Sequence, residues 1–301
     1  MSVPSHRIHS PAARVLVAAA ALLSMIAPGL ASAQQSQNPS PMVEHTRTHP
    51  RLRQDLPPGR REALEIGSLF LPERLVSAAD PKKAVPLLVV FHAGPWLPEV
   101  TAHEIGAAVI SVEVGTGSGV YEKSFADDRR FPALLDEARR KAGVRLDPIT
   151  LAGWSAGCGA IRALLRQPTS LSQIESVLAI DGIHTSYTGG KPGPLESQID
   201  TVPLEPWAAF AREAKAGRKG LFILHTEIFP GTFASTTETA DWLIGTLGLT
   251  RRAVLEWGPM STQRLSDTRA GRLWIQGYAG NSAPDHVDLL HALPDLLRML
   301  R

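Results

Sequence analysis

Short, nearly continuous apolar runs alternate with helical patterns along most of this chain, and that alternation limits the folds open to it. Residues 85–91 (VPLLVVF), 106–114 (GAAVISVEV), 148–152 (PITLA), 176–180 (SVLAI) and 220–224 (GLFIL) read as strands. Residues 63–71, 253–257 and 272–278 read as further strands. Between them, residues 131–142 (FPALLDEARRKA), 158–166, 207–216 and 236–247 carry helical patterns, and 287–300 reads as a closing helix. A strand that is apolar at successive positions is buried on both faces, which is what a parallel sheet covered by helices requires. The expected class is therefore α/β, a mostly parallel central sheet with helices on both faces. In such sheets reactive groups collect beyond the carboxyl ends of the strands.

The chain's beginning reads differently. Residues 1–14 hold Arg7 and Arg14 and no acid, Val15 to Ile26 is an apolar run, and Ala31-Ser32-Ala33 follows Pro28-Gly29. This is the pattern of a secretory signal peptide cleaved after Ala33, with the mature protein exported to the periplasm or medium and no stable membrane anchor. Residues 34–60 are rich in Gln, Ser, Pro and Arg and read as a flexible leader. The folded domain is then expected over 61–301, with 182–206, rich in Gly, Pro and Ser, as an irregular excursion over the site and at most a small lid.

The strongest chemical signal is Gly153-Trp154-Ser155-Ala156-Gly157, directly after the strand PITLA and before a helix. A serine on so tight a strand-to-helix turn needs small neighbours two positions away on each side. The turn lifts the hydroxyl out of the sheet and sets it where backbone N–H groups face developing negative charge.

On these residues the chain resembles the α/β-hydrolase fold superfamily of serine hydrolases, of the esterase and lipase type, over roughly 63–301. The resemblance implies an oxyanion loop after an early strand, often beginning His-Gly. Here Phe91-His92-Ala93-Gly94-Pro95 stands there, with Ala93 departing from the plain form. Ala93 or Gly94, with Ala156, would supply the oxyanion-binding N–H groups, because Pro95 has none. The order Ser, acid, His implied by the resemblance is met by His286, with Asp285 able to cap its helix; His291 is the alternative base. The usual acid position after GLFIL holds Phe229, leaving Glu227 there. Asp181, at the tip of SVLAI, is preferred as the acid because a short side chain at a strand end is better fixed, and Glu227 is the alternative.

Other patterns point away from other chemistries. Gly115-Thr116-Gly117-Ser118-Gly119 lacks phosphate-loop spacing, and no helix is expected to open at its end. One cysteine, Cys158, excludes a disulfide scaffold and a cysteine zinc site. Neither His225-x-Glu227 nor His286 with Asp288 has zinc-enzyme helical spacing, so neither a metal nor another cofactor is expected. Lys+Arg 31 against Asp+Glu 29 gives no basic field for nucleic acid. The expected function is a secreted carboxylic ester hydrolase acting on a small-molecule or lipid-like ester through Ser155, Asp181 and His286. The alternatives are an inactive hydrolase-fold binding protein and a serine hydrolase of peptide or polyester bonds.

Overall fold

The computed structural model describes residues 48–77, 83–189 and 198–300. The expected signal peptide lies outside the described residues, as does 34–47 of the expected leader. The strands are β1 (Gly59–Ala63), β2 (Ser68–Pro72), β3 (Val85–Phe91), β4 (Ala108–Val112) and β5 (Leu146–Trp154). They continue as β6 (Ile174–Ile180), β7 (Gly220–His225), β8 (Arg252–Trp257), β9 (Gln263–Ala270) and β10 (Leu273–Tyr278). All ten form one sheet in the order β1-β2-β4-β3-β5-β6-β7-β10-β9-β8. The six central strands are mutually parallel, and antiparallel pairs finish both edges.

The described helices are α1 (Glu73–Ser77), α2 (Trp96–Ile105), α3 (Ser118–Ser124), α4 (Arg130–Ala142), α5 (Cys158–Leu165) and α6 (Pro168–Gln173). After them come α7 (Glu205–Lys215), α8 (Thr236–Thr246), α9 (Ala283–His291) and α10 (Leu293–Met299). Strand side chains alternate between two cores. Leu87, Val89, Leu151, Val177, Ala179, Leu221 and Ile223 join the core covered by α4, α5, α7 and α8. Leu88, Val90, Ala152, Leu178, Ile180, Phe222 and Leu224 join the core covered by α2, α9 and α10. The period-two alternation of a strand thus explains the continuous apolar runs, since both faces are dry. Each fully buried Val, Leu, Ile or Phe side chain among these contributes about 1.5–3 kcal/mol of burial free energy, and the alanines less.

The sheet order creates a topological switch point. The chain leaves β3 for β4 on one side and later returns past β3 to β5 on the other. The helix after β3 covers one core and the helix after β5 the other. Their carboxyl ends therefore diverge at a topological switch point, the usual crevice of open α/β sheets.

Several boundaries differ from expectation. The single strand expected at 63–71 is a hairpin, β1 and β2, turned at Gly67 with φ +89° and closed by Leu64 N–H on Gly67 O at 3.0 Å. A side chain at Gly67 would meet the Ser111 carbonyl at 2.2 Å, so that turn packs directly on β4. Helix α2 was masked in the sequence by Pro98, which is harmless in a first turn because its missing N–H has no intrahelical duty there. Strand β9 (QRLSDTRA) was hidden by its polar residues. A helix, α3, does open at Ser118, against expectation, although the glycine loop before it still lacks phosphate-loop spacing. The closing helix starts earlier than 287 and is two helices, divided at Ala292 ahead of Pro294. In the 182–206 excursion, Tyr187 bridges Ile199, and Thr188 N–H donates to Gln198 O at 2.7 Å. Residues 190–197 of it lie outside the described residues. Among the described residues no helix is long and apolar enough to cross a membrane.

Of the residues assigned from sequence to the leader, Gly59 and Arg60 begin β1, and His49, Arg51 and Leu52 lie against α9. Leu52 packs on the second core, and its N–H donates to His291 Nδ1 at 3.0 Å. His49 Nδ1 lies 2.8 Å from Asp288 Oδ2, and Arg51 ion-pairs with the same carboxylate.

Candidate active site

Ser155 occupies a left-handed backbone conformation, φ +50°, between the end of β5 and a short 3-10 turn (Ser155–Gly157). That conformation costs a non-glycine residue about 1–3 kcal/mol and persists only where its surroundings over-determine it. Here they do. A Cβ on Gly157 would stand 2.2 Å from the Phe91 carbonyl, and one on Gly153 would stand 2.8 Å from Ile161 Cδ1. The bare backbone at 157 lets the turn close onto the end of β3, beside the loop 92–94. Gly159 plays the same part against α3, where a Cβ would meet Ser118 O at 2.0 Å. The elbow is therefore tied to strand, helix and loop by glycines that a local sequence motif only partly announces.

On the other side the elbow meets the loop after β6. A Cβ on Gly182 would lie 2.3 Å from Ser155 O, so this backbone runs against that of the serine. Its neighbour Asp181 also has positive φ, +46°, and is buried, at 2% exposure. Every lone-pair direction of its carboxylate is used. Oδ1 accepts from Thr226 N–H at 3.0 Å and from the Thr236 hydroxyl at 2.6 Å. Oδ2 accepts from the Thr226 hydroxyl at 2.7 Å and lies 2.7 Å from His286 Nδ1. Burial by itself would raise the Asp181 pKa. The hydrogen bond and charge of His286, with the Thr236 hydroxyl and Thr226 N–H, outweigh it and hold the carboxyl well below its usual range.

His286 is set by its helix start. Ser282 is the N-cap of α9, and Asp285 completes a capping box with it, Oδ2 taking Ser282 N–H at 3.0 Å and the Ser282 hydroxyl at 2.6 Å. The capping residue is thus Ser282 rather than Asp285, and His286 lies at the close of the first turn. A carboxylate at Nδ1 places the imidazole proton there and leaves Nε2 as the nitrogen available to a hydroxyl. Trp154, directly before Ser155, donates from Nε1 to His286 O at 3.1 Å, and its ring lies 4.6 Å from the imidazole. His92 stacks on the same indole at 5.3 Å and 16°. Trp154, the residue before Ser155, is thus tied to both the oxyanion loop and the histidine.

The alternative site residues are engaged elsewhere. Glu227 accepts Gly280 N–H at 3.4 Å, while its own N–H donates to Gly280 O at 2.9 Å. It joins the loop after β7 to the one leading into α9. His291 accepts from Leu52, and burial, with Arg51 nearby, lowers its pKa. On the oxyanion loop, Gly94 N–H donates to Glu113 Oε2 at 3.2 Å, so of the two expected donors Gly94 is already occupied. Ala156 N–H lies in the first turn after the serine, where helix N–H groups lack intrahelical partners.

Sequence reading missed several residues that shape the site. Thr226, after β7, and Thr236, the first residue of α8, hold Asp181, and a lone threonine at either place carries no local signal of such duty. His225 is buried behind them. Its Nε2 faces an Arg251 nitrogen at 2.8 Å, so it accepts there and carries its proton on Nδ1, toward Thr237 Oγ1 at 3.1 Å. Burial and then Arg251 push its pKa down to about 4. His184 is lowered to about 4 chiefly by burial, and its ring meets Phe233 edge-on at 5.0 Å. Cys158 is buried with Sγ 3.2 Å from Gly153 O, and burial pushes the thiol up to about 12, so it is inert packing behind the serine. Among the described residues, His49, Asp285 and Asp288 bring ligand atoms within 4.8 Å of one another. The Arg51 guanidinium against Asp288 and the capping duty of Asp285 give that group a structural role.

No protein-family model matches the sequence, and no curated protein matches it. The solved structures similar to it include the following three. A puromycin-hydrolysing peptidase of Mycobacterium tuberculosis is 16% identical, with 80% of this chain and 39% of that chain covered and a TM-score of 0.44. Est1E of Butyrivibrio proteoclasticus is 9% identical, covering 80% of this chain and 98% of that one, TM-score 0.40. A propionate-bound thermophilic esterase of the planctomycete Thermogutta terrifontis is 13% identical, covering 83% and 96%, TM-score 0.47. The chain thus spans 39% of the length of the peptidase it matches. By its own geometry the chain has the expected α/β architecture, a mostly parallel central sheet with helices on both faces, a switch point between β3 and β5 and a serine elbow after β5.

Proposed function

We propose that this chain, having that fold, is a serine hydrolase of carboxylic esters that works through an acyl-enzyme. The observation that carries the reading is the buried Asp181 carboxylate 2.7 Å from His286 Nδ1, on an imidazole whose neighbouring indole belongs to the residue before Ser155. In this reading neutral His286 takes the Ser155 proton at Nε2 as Oγ attacks the ester carbonyl. The tetrahedral oxyanion is held by Ala156 N–H and an N–H of the loop after β3. Collapse expels the alcohol, which receives that proton from His286. Water then attacks the acyl-enzyme, giving its proton to His286, and the acid departs as the proton returns to Ser155. Asp181 keeps the imidazole in the right tautomer and stabilises the imidazolium.

A panel of nitrophenyl esters of rising chain length tests the substrate class. Turnover of short or medium esters is expected; hydrolysis of an amide panel in place of the esters would move the assignment to a peptidase. We further propose export with cleavage near Ala33, on the charge and apolar pattern of residues 1–33. Intact-mass measurement on protein from periplasm or medium is expected to find a chain starting near Gln34, and retention of Met1 on a membrane-bound product would refute it.

A further inference from the structure

We propose that Glu113 is a positioning residue for the oxyanion loop: its carboxylate takes the Gly94 N–H and so assigns oxyanion binding to the N–H groups of Ala93 and Ala156. The inference rests on the serine-hydrolase reading above and adds to it which donors act and what holds them.

Glu113 follows β4, the neighbour of β3. The parallel register sets Phe91 beside Val112, and His92 N–H donates to Val112 O at 3.1 Å. One step further, Glu113 faces the loop. Three groups converge on it. The Tyr121 hydroxyl donates to Oε1 at 2.5 Å, His92 Nδ1 lies 2.9 Å from Oε1, and Gly94 N–H donates to Oε2 at 3.2 Å. The single phenol proton goes to Glu113, and Val114 N–H approaches the phenol oxygen at 3.4 Å. The proton between His92 and Glu113 is therefore the imidazole's own, on Nδ1.

The two loop residues that Glu113 grips flank Ala93. Both have left-handed backbone, φ +65° at His92 and +62° at Gly94. Such a backbone comes freely to Gly94 but at His92 persists only where contacts hold it, and Glu113 supplies one of these beside the bond from His92 N–H to Val112 O. Between them, Ala93 N–H has no hydrogen-bond partner among the described residues. His92 carries the restraint onward, because its ring is stacked on Trp154 beside the nucleophile. The rival arrangement has Gly94 N–H leave Glu113 and join the hole. There the carboxylate would compete with the oxyanion for that N–H, and removing it would raise turnover.

The test combines kinetics with an adduct structure. In wild-type enzyme reacted with a fluorophosphonate, the phosphoryl oxygen is expected about 3 Å from the N–H groups of Ala93 and Ala156, with Gly94 N–H still on Glu113. Glu113→Ala is expected to lower kcat about 10²-fold, the scale of one lost oxyanion donor, with KM changed less than about threefold. Glu113→Gln keeps an acceptor oxygen of the same reach and is expected to recover part of that loss. An adduct oxygen on Gly94 N–H overturns the inference, as does an unchanged or raised kcat in Glu113→Ala, or in Glu113→Gln if the alanine variant does not fold. The adduct needs no variant. Absence of any Ser155 adduct would instead sink the serine-hydrolase reading, and the two failures are thereby distinguishable.

Discussion

Ser155→Ala is expected to lose about 10⁶-fold in ester turnover, the scale seen when a nucleophile of this kind is removed, and to take up no fluorophosphonate. The reason is that in the proposed mechanism Ser155 alone forms the acyl-enzyme. Cys158, three residues away, is buried, and its thiol is pushed up to about 12, so it supplies no thiolate. The residual rate would come from oxyanion binding and positioning alone, which act on water as a poor substitute for the serine. Folding should survive. Alanine has the same Cβ as serine in the left-handed turn, and the glycine contacts that make the turn, at Gly157 and Gly182, do not involve the hydroxyl. A change in unfolding free energy under about 1 kcal/mol is expected, as for substitutions that create neither a cavity nor a buried orphan. Nitrophenyl ester kinetics, adduct mass spectrometry and urea unfolding on one preparation make the measurement. Turnover by the alanine variant close to that of the wild type would end the assignment.

The second large effect is expected at the acid. Asp181→Asn should cost about 10⁴-fold in kcat, the scale known for asparagine at a triad acid. The carboxamide fits the same space, yet its NH2 can face His286 Nδ1 only if that nitrogen gives up its proton. The imidazole proton then moves to Nε2 and blocks the base. Glu227→Gln should cost far less, since Glu227 holds Gly280 and not the imidazole. The stability of the two proteins should also respond differently to acid. Asp181 has its folded pKa held below its unfolded value, so its ionised network adds stability above the usual carboxylate range and loses it as pH falls through the folded value. The stability gap between wild type and the asparagine variant should therefore narrow on acidification. Urea midpoints measured from neutral pH downward give the comparison. A Glu227→Gln loss equal to that of Asp181→Asn would show that the acid has been misassigned.

These residues also show how far the sequence reaches. The elbow was legible because its requirements are local: a dry strand, small residues on each side of the serine, and a helix after it. The central strands were legible because burial on both faces removes polar residues from successive positions. Strand β9 was not, since an outer antiparallel strand tolerates polar residues and QRLSDTRA shows no apolar period. Helix α2 was missed because proline in a first turn and proline in a helix interior look alike in a local pattern. The cap of α9 was misplaced by three residues, because serine and aspartate at that spacing make a reciprocal pair and either resembles the cap alone.

By itself, then, the sequence determined the alternation of strand and helix, the dry parallel centre and the serine turn, all of which depend on residues close together in the chain. It also offered two acids, two histidines and two loop N–H groups without choosing finally among them. Only the tertiary structure shows which of these groups meet. Asp181 meets His286 across 105 positions of sequence because β6 and β7 lie side by side and α9 starts beyond β10. Glu113 reaches Gly94 because β4 pairs with β3 in one particular register. Such meetings depend on strand order, and strand order follows from packing the whole sheet between its two cores, a condition that no short stretch of residues can state.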